Sequence, residues 1–437
     1  MKKYFLLGMS FMLLAISAEA FNLGLHVQEI KLNNGMKWLL VSRPDVPVFS
    51  AAVIVKAGGL NEVPGKTGLA HMFEHMAFKG SPDLDKKEIW SSFLRNGAKE
   101  EDLNAYTTKD ETVYQASLPE SKFVLWAYVT SEMILRPTFN EFYKERDVVM
   151  EERRMRTDNN PLGFMLEKLV ELAYPSGPYR APVIGKPEDI QGLTVEDAKA
   201  FHEKYYHPNN MVGVLVGDLK SAEIRPVLEQ YFGRFPQVPV DVTPKNPVIP
   251  PGEKRETISF AAEPFLIISF HKPNAPHEDD TVFDLINELL CTGRTAQLFK
   301  KLVQEDKLLS GIWCEAGFPG TRLPNLFSLG ATPMKGVSLE KIEAAILQEL
   351  DKFKNNLVAQ KDLDKVRRRL QSDLLWSLEN NMALGQMLGL DEVTTGRWQY
   401  LVEYPEKIAK ITPAQIQKVA RHYFVPENRI VMKREKK

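Results

Sequence analysis

Cysteine is almost missing: the 437-residue chain holds only Cys291 and Cys314. Two thiolates with no nearby histidine do not fill a tetrahedral shell, which excludes a cysteine-based metal centre. In an oxidising compartment the pair could close one disulfide. Free cysteine also packs well as a small apolar residue, so two buried thiols are the expectation. Excess charge is missing too. With 56 basic and 57 acidic residues the formal net charge is −1, and no long-range field favours nucleic acid or anionic lipid. The run "KVRRRL" (365–370) reads as the solvated face of a helix. Beyond residue 20 no apolar stretch nears the roughly 18 residues of a membrane span. The composition, 44% hydrophobic and 26% charged, is that of an ordinary globular protein.

The first twenty residues stand apart. "MKKYFLLGMSFMLLAISAEA" has Lys2 and Lys3, an apolar run from Phe5 to Ile16, and the small-residue ending Ala18-Glu19-Ala20. This is the pattern of a secretory signal peptide, and no cysteine follows it to carry a lipid. Residues 1–20 are therefore set aside from the fold. An exported protein is expected, periplasmic or secreted.

The remaining length suits two domains. "FPQVPVDVTPKNPVIPPGEKRE" (235–256) carries six prolines, which forbid helix and favour an extended tether. It separates an N-terminal unit, 21–234, from a C-terminal unit, 257–437. The units echo one another. "LTVEDAKAFHEKYYHPNNMVGVLVGDL" (193–219) and "ITPAQIQKVARHYFVPENRIVMKREKK" (411–437) align at a constant offset of 218, pairing Thr194 with Thr412, Tyr205 with Tyr423, Pro208 with Pro426 and Asn210 with Asn428. In each copy a threonine N-cap, an amphipathic helix, an X-Pro stop and an apolar strand follow in order. A tandem duplication is the reading. Strands are expected at 26–44 around Asn34-Gly35, at 48–59 and at 112–119, with helices between them. The fold class is α+β: two homologous units, each a mainly antiparallel sheet with helices on one face.

The chemistry is concentrated in "LAHMFEHMAFKG" (69–80). On a helix His71 and His75 share a face and present two imidazoles to one ion, with Glu74 beside them. Catalytic Zn²⁺ takes three protein ligands and leaves a place for water, whose pKa it lowers toward about 7. His-x-x-Glu-His, the inverse of His-Glu-x-x-His, occurs among zinc peptidases. By chance, roughly one sequence of this composition in a hundred would contain it. A third ligand must come from elsewhere, and "EFYKERDVVMEERRMRTD" (141–158) offers Glu145, Glu151 and Glu152. Glu145 and Glu152 lie near two turns apart on one face, whereas Glu151 is turned about 100° away. One of the two facemates could ligate while the other supports a ligand. By itself, this acidic helix reads as a solvated face. "PHEDDTVFDLINELL" (276–290), with His277, reads as N-terminal charge on a helix, and His202, His207 and His422 read as structural.

These motifs resemble the pitrilysin/insulinase family of zinc peptidases, in particular the two-domain branch that includes the mitochondrial processing peptidase. The family follows His-x-x-Glu-His with a stretch such as Glu-Arg-x-x-Val-x-x-Glu, matched here by "ERDVVMEE" (145–152), and its Asn-Ala-x-Thr segment is matched within "LNAYTTKDETVY" (103–114). The resemblance implies one Zn²⁺ per chain, held by His71, His75 and Glu152, with Glu145 in support and Glu74 as general base. It also implies that Asn104 and Ala105 lie on an edge strand that pairs with a peptide or unfolded protein segment, enclosed between bowl-like halves.

Carried upstream, the 218 offset pairs the four motif positions with Leu289, Thr292, Gly293 and Leu370, so the second unit is expected to be a catalytically silent copy. The family's second half often carries an Arg and a Tyr that hold the substrate carbonyl. In "QLFKKLVQEDKLLSGIW" (297–313) those places fall on Val303 and Ser310. A heterodimer whose zinc-free paralogue supplies the pair is therefore expected. A self-sufficient homodimer and a non-catalytic assembly subunit are the alternatives.

Overall fold

Two mostly apolar strands set the architecture. "VFSAAVIV" and "MVGVLVG" are buried along almost their whole length, so the sheet containing them must be covered on both faces. The structure is a computed structural model that describes residues 23–241 and 243–437. The signal-like segment 1–20 lies outside the described residues.

The first sheet contains β1 (Val27–Lys31), β2 (Lys37–Ser42), β3 (Val48–Val55), β4 (Asn104–Thr107), β5 (Thr112–Pro119) and β6 (Met211–Gly217), in the order β1-β2-β6-β3-β5-β4. The second contains β7 (Lys254–Phe260), β8 (Phe265–Lys272), β9 (Leu309–Phe318), β10 (Asn325–Pro333) and β11 (Arg429–Lys436), in the order β7-β11-β8-β10-β9. Among the described residues only β2/β6 and β7/β11 are parallel pairs. With β1 set aside, the two orders coincide strand for strand. The proline-rich stretch stays free of helix and strand, among the described residues, until β7 begins at Lys254.

The repeat is visible in atomic detail at its ends. Thr194 and Thr412 each form a capping box on the helices Val195–Tyr205 and Pro413–Tyr423. Asn210 and Asn428 then donate their side-chain amides to the carbonyls of Tyr205 and Tyr423, at 2.8 and 2.9 Å. The matched asparagines thus satisfy the last carbonyls of matched helices.

The constant offset fails between these anchors. Helix Leu69–Ala77 starts well after β3 ends at Val55, whereas helix Glu278–Leu290 starts soon after β8 ends at Lys272. Leu289 consequently sits in the last turn of its helix, and Thr292 and Gly293 fall beyond the Cys291 C-cap. They are not structural counterparts of the histidine motif, because the connecting loops differ in length.

Helices cover the second face of each sheet as well, correcting the one-face expectation. Leu39, Ile54, Val212 and Val214 of the first sheet pack on Leu374, Leu378, Leu384 and Leu388 from the second half. Ile267, Leu326 and Met432 of the second sheet pack on Met165, Leu169, Tyr174 and Tyr179 from the first. Gly389 permits this approach, since a Cβ there would lie 2.3 Å from Ile54 Cδ1. Each half therefore completes the other's core.

Cys291 and Cys314 are joined in a disulfide with Cα atoms 5.6 Å apart. This overturns the expectation of two free thiols: β9 returns beside the end of helix Glu278–Leu290, and linear spacing does not reveal that. Among the described residues no helix is long and apolar enough to cross a membrane.

Candidate metal centre

The histidine motif lies on helix Leu69–Ala77, whose Leu69, Met72, Phe73 and Met76 enter the core of the first half. Gly68 precedes it at φ +86°, and a Cβ there would meet the Ile184 carbonyl at 2.5 Å. No side chain at Gly68 can cap the helix, so Glu62 does: its carboxylate accepts from the N–H groups of Gly68 and Ala70, at 3.0 and 2.8 Å. Burial nevertheless pushes the Glu62 carboxyl up to about 8. Against this helix packs a second, Phe142–Arg153, which continues as a π-helical turn over Arg154–Asp158.

The pairing of these helices brings His71, His75 and Glu152 together, one potential ligand atom from each lying within 4.8 Å of the others. Glu152 Oε2 is 3.4 Å from His75 Nε2 and 3.7 Å from His71 Nε2. These separations are long for hydrogen bonds. They suit two atoms on a shared tetrahedral ion, for which metal–ligand bonds of about 2.0–2.1 Å imply ligand spacings of about 3.3 Å. His75 Nδ1 lies 2.8 Å from Glu145 Oε1, and the other Glu145 oxygen is ion-paired with Lys79. A proton on Nδ1 donated to Glu145 leaves the Nε2 lone pair facing the cluster. Arg156 Nε holds the second Glu152 oxygen at 3.0 Å. The donor set, two imidazoles and one carboxylate with outer partners, fits zinc.

Electrostatics separate the two histidines. Burial lowers His71 to about 4, with His75 adding to the effect. Burial also opposes charge on His75, but the hydrogen bond to Glu145 and the nearby Glu152 carboxylate outweigh it and hold this imidazole at about 9. Glu145 stays below the usual carboxylate range against its burial through His75 and Lys79, and Glu152 does so chiefly through His75. Glu74 shifts the other way. Burial raises its carboxyl, and a 2.6 Å hydrogen bond donated by Thr107 Oγ1 offsets part of the rise.

His71, Glu74, His75, Glu152, Asn104 and Ala105 all line one cavity of about 710 Å³. β4, which carries Asn104 and Ala105, ends the first sheet and, among the described residues, pairs only with β5. Glu151 points away and pairs with Arg154 at 2.8 Å. His277 N-caps helix Glu278–Leu290 by accepting from Asp279 N–H, and His202 is partly buried with its Nε2 3.0 Å from the Ile134 carbonyl. Val303 lies in the π-helical turn Phe299–Glu305 and Ser310 in β9, both outside the cavity lining. Three participants escaped sequence reasoning: Lys79, Thr107 and Arg156. Lys79 and Arg156 each stand four residues after a ligand position, a signal available in principle. Thr107 is the threonine of the Asn-Ala-x-Thr segment.

Two family profiles match the chain: "Insulinase (Peptidase family M16)" over residues 37–186 and "Peptidase M16 inactive domain" over residues 192–370. The zinc protease PqqE of Helicobacter pylori is 28% identical over 433 residues, covering 96% of each chain. The mitochondrial-processing peptidase subunit beta of Saccharomyces cerevisiae is 23% identical, covering 88% of this chain and 86% of that one. The crystal structure of a protease from Helicobacter pylori superposes with a TM-score of 0.87 at 26% identity, covering 94% of this chain and 99% of the other. With the duplicated sheets and the His71, His75 and Glu152 cluster, these matches establish that the chain belongs to the pitrilysin/insulinase family of peptidases as a two-domain member.

Proposed function

We propose that this chain is an exported zinc endopeptidase acting on peptides or unfolded protein segments, with unit 21–234 carrying the active site and unit 257–437 carrying no ligands. The observation that carries this reading is the spacing of His71, His75 and Glu152 beside Glu74 in one cavity. When bound, Zn²⁺ supplies Lewis acidity and lowers the pKa of a water toward about 7. Glu74 is the base: it takes a proton from the attacking water and returns it to the leaving amine nitrogen. Its burial raises its proton affinity toward the working range, and Thr107 orients the carboxylate. Glu145 fixes the ring of His75, and Arg156 fixes the carboxylate of Glu152. The free edge of β4 at Asn104 and Ala105 receives the substrate as an added strand.

Export rests on the signal-like residues 1–20, and the periplasm is the compartment proposed. The active species proposed is a heterodimer with a paralogue that lacks the zinc ligands and supplies the Arg/Tyr pair absent at Val303 and Ser310. Relatives in the family include proteins named as subunits. The test is hydrolysis of a quenched fluorescent peptide library by the mature chain, with and without chelator, alone and mixed with a candidate paralogue. Silence alone and chelator-sensitive cleavage on mixing are expected. Full activity of the chain alone would overturn the heterodimer, and silence of both zinc-loaded preparations would overturn the peptidase.

A further inference from the structure

The cavity beside the metal centre has one polar and one apolar wall. Leu166, Val170, Val183 and Ile184 of the first half form the apolar side together with Phe318 and Pro319, which come from the second half. The charged groups of the lining are engaged by neighbours or, for Lys109, withdrawn from solvent. Glu167 makes two 3.0 Å bonds to Arg153, Arg156 holds Glu152, and Arg180 donates to the Pro175 carbonyl. Lys109 Nζ is shut away from solvent without a hydrogen-bond partner, in the field of Glu62, Asp110 and Glu167.

Phe318 and Pro319 are held there by a clasp between the halves. Asp110, in the turn between β4 and β5, accepts from the N–H groups of Thr321 and Arg322 at 2.5 and 3.2 Å and from Tyr179 Oη at 2.7 Å. Tyr179 Oη in turn accepts from the N–H groups of Arg322 and Leu323, both at 3.1 Å. Gly320 lets the loop come this close, since a Cβ would lie 2.6 Å from Asp110 Oδ2 and 2.7 Å from Tyr179 Oη. Both Asp110 and Tyr179 are buried. Asp110 also lies three residues past Thr107, which orients Glu74, so one hairpin carries both the base's partner and the loop's anchor.

We infer that the second half supplies the specificity wall of the active site: Phe318 and Pro319 select a large apolar substrate side chain close to the scissile bond. This rests on the peptidase reading. A leucine or phenylalanine gains by leaving water against Phe318, Leu166 and Ile184. An aspartate or lysine there loses hydration against Leu166, Ile184 and Phe318, which offer it no polar partner. The half without metal ligands thus acts on substrate through a loop that the other half locks in place.

The test is kcat/KM on quenched peptides carrying Phe, Leu, Ala, Asp or Lys in turn at each position flanking the scissile bond. The zinc-loaded wild-type chain, Phe318→Ala and Asp110→Asn are compared, with the paralogue present if turnover needs it. At one position wild type should favour Leu or Phe over Asp by at least about tenfold, as apolar pockets do. Phe318→Ala should cut that ratio by about tenfold. Asp110→Asn leaves Phe318 in the chain but turns a donor or a neutral oxygen toward the Thr321 and Arg322 amides, and it should shift the same ratio. A purely structural clasp would lower stability in Asp110→Asn without moving side-chain preference. An unchanged ratio in both variants overturns the inference. Should wild type cleave no peptide, the peptidase reading fails separately. Fluorescence anisotropy of a labelled Leu peptide then decides: equal binding by wild type and Phe318→Ala overturns the wall.

Discussion

Glu145 is the most informative residue to change, because it touches a ligand without being one of the proposed three. Its carboxylate accepts from His75 Nδ1 at 2.8 Å, and its other oxygen is paired with Lys79. Glu145→Gln keeps an acceptor but removes the charge. A hydrogen bond to a charged partner contributes about 1.5–3 kcal/mol and a neutral one about 0.5–1.5 kcal/mol, a difference near 1–1.5 kcal/mol. Zinc affinity should therefore fall about tenfold in Glu145→Gln and toward about a hundredfold in Glu145→Ala. The same carboxylate also stabilises protonated His75, which it helps hold at about 9. Below that pH a proton competes with the metal, and removing Glu145 weakens the competitor too. Part of the loss is thus masked at neutral pH, and the gap between wild type and variant should widen as pH rises toward 9. Competition with a chromophoric chelator across that range, with circular dichroism to show intact folding, measures it. If both variants held zinc as tightly as wild type at every pH, Glu145 would have no role in orienting His75.

Two further outcomes concern stability. Burial lowers His202 to about 4, so the unfolded chain binds its proton first as pH falls. The stability this neutral histidine contributes is present above about pH 6.5 and is lost as pH falls toward 4, by up to about 3 kcal/mol. Urea unfolding of wild type and His202→Gln at both ends of that window should show a smaller loss in the variant. The Cys291–Cys314 bridge closes a sequence separation of 23 residues, which in the chain-entropy treatment is about 3 kcal/mol. Replacing both cysteines by serine should lower the urea midpoint, and reductant should then have no further effect.

How much could be read without coordinates depended on how local each signal was. The strands around Asn34-Gly35, β3, β5 and the duplicated Thr-capped helices are local patterns, and they appear where expected. His71, Glu74 and His75 were legible because one helix turn brings them together. Glu152 was only one of three carboxylates until the family resemblance singled it out. The reciprocal covering of the sheets was not anticipated, although the nearly continuous burial of β3 and β6 is its physical signature. The 218 offset does not carry to Leu289, Thr292 and Gly293, because the loops before helices Leu69–Ala77 and Glu278–Leu290 differ in length. Phe318 and the disulfide carry no local mark. Both arise where β9 returns to elements distant in sequence, and only the tertiary fold brings such residues together.

The central claim is a zinc centre served by Glu74, and one variant tests it most directly. Glu74→Gln keeps the shape of the side chain and all three proposed ligands but cannot take a proton. Zinc content by mass spectrometry and peptide turnover should be measured on the same preparations of wild type and variant. The account predicts one zinc per chain in both, with turnover in Glu74→Gln reduced by about 10²-fold or more. Metal-free Glu74→Gln, or a zinc-loaded variant that cleaves at the wild-type rate, would contradict it.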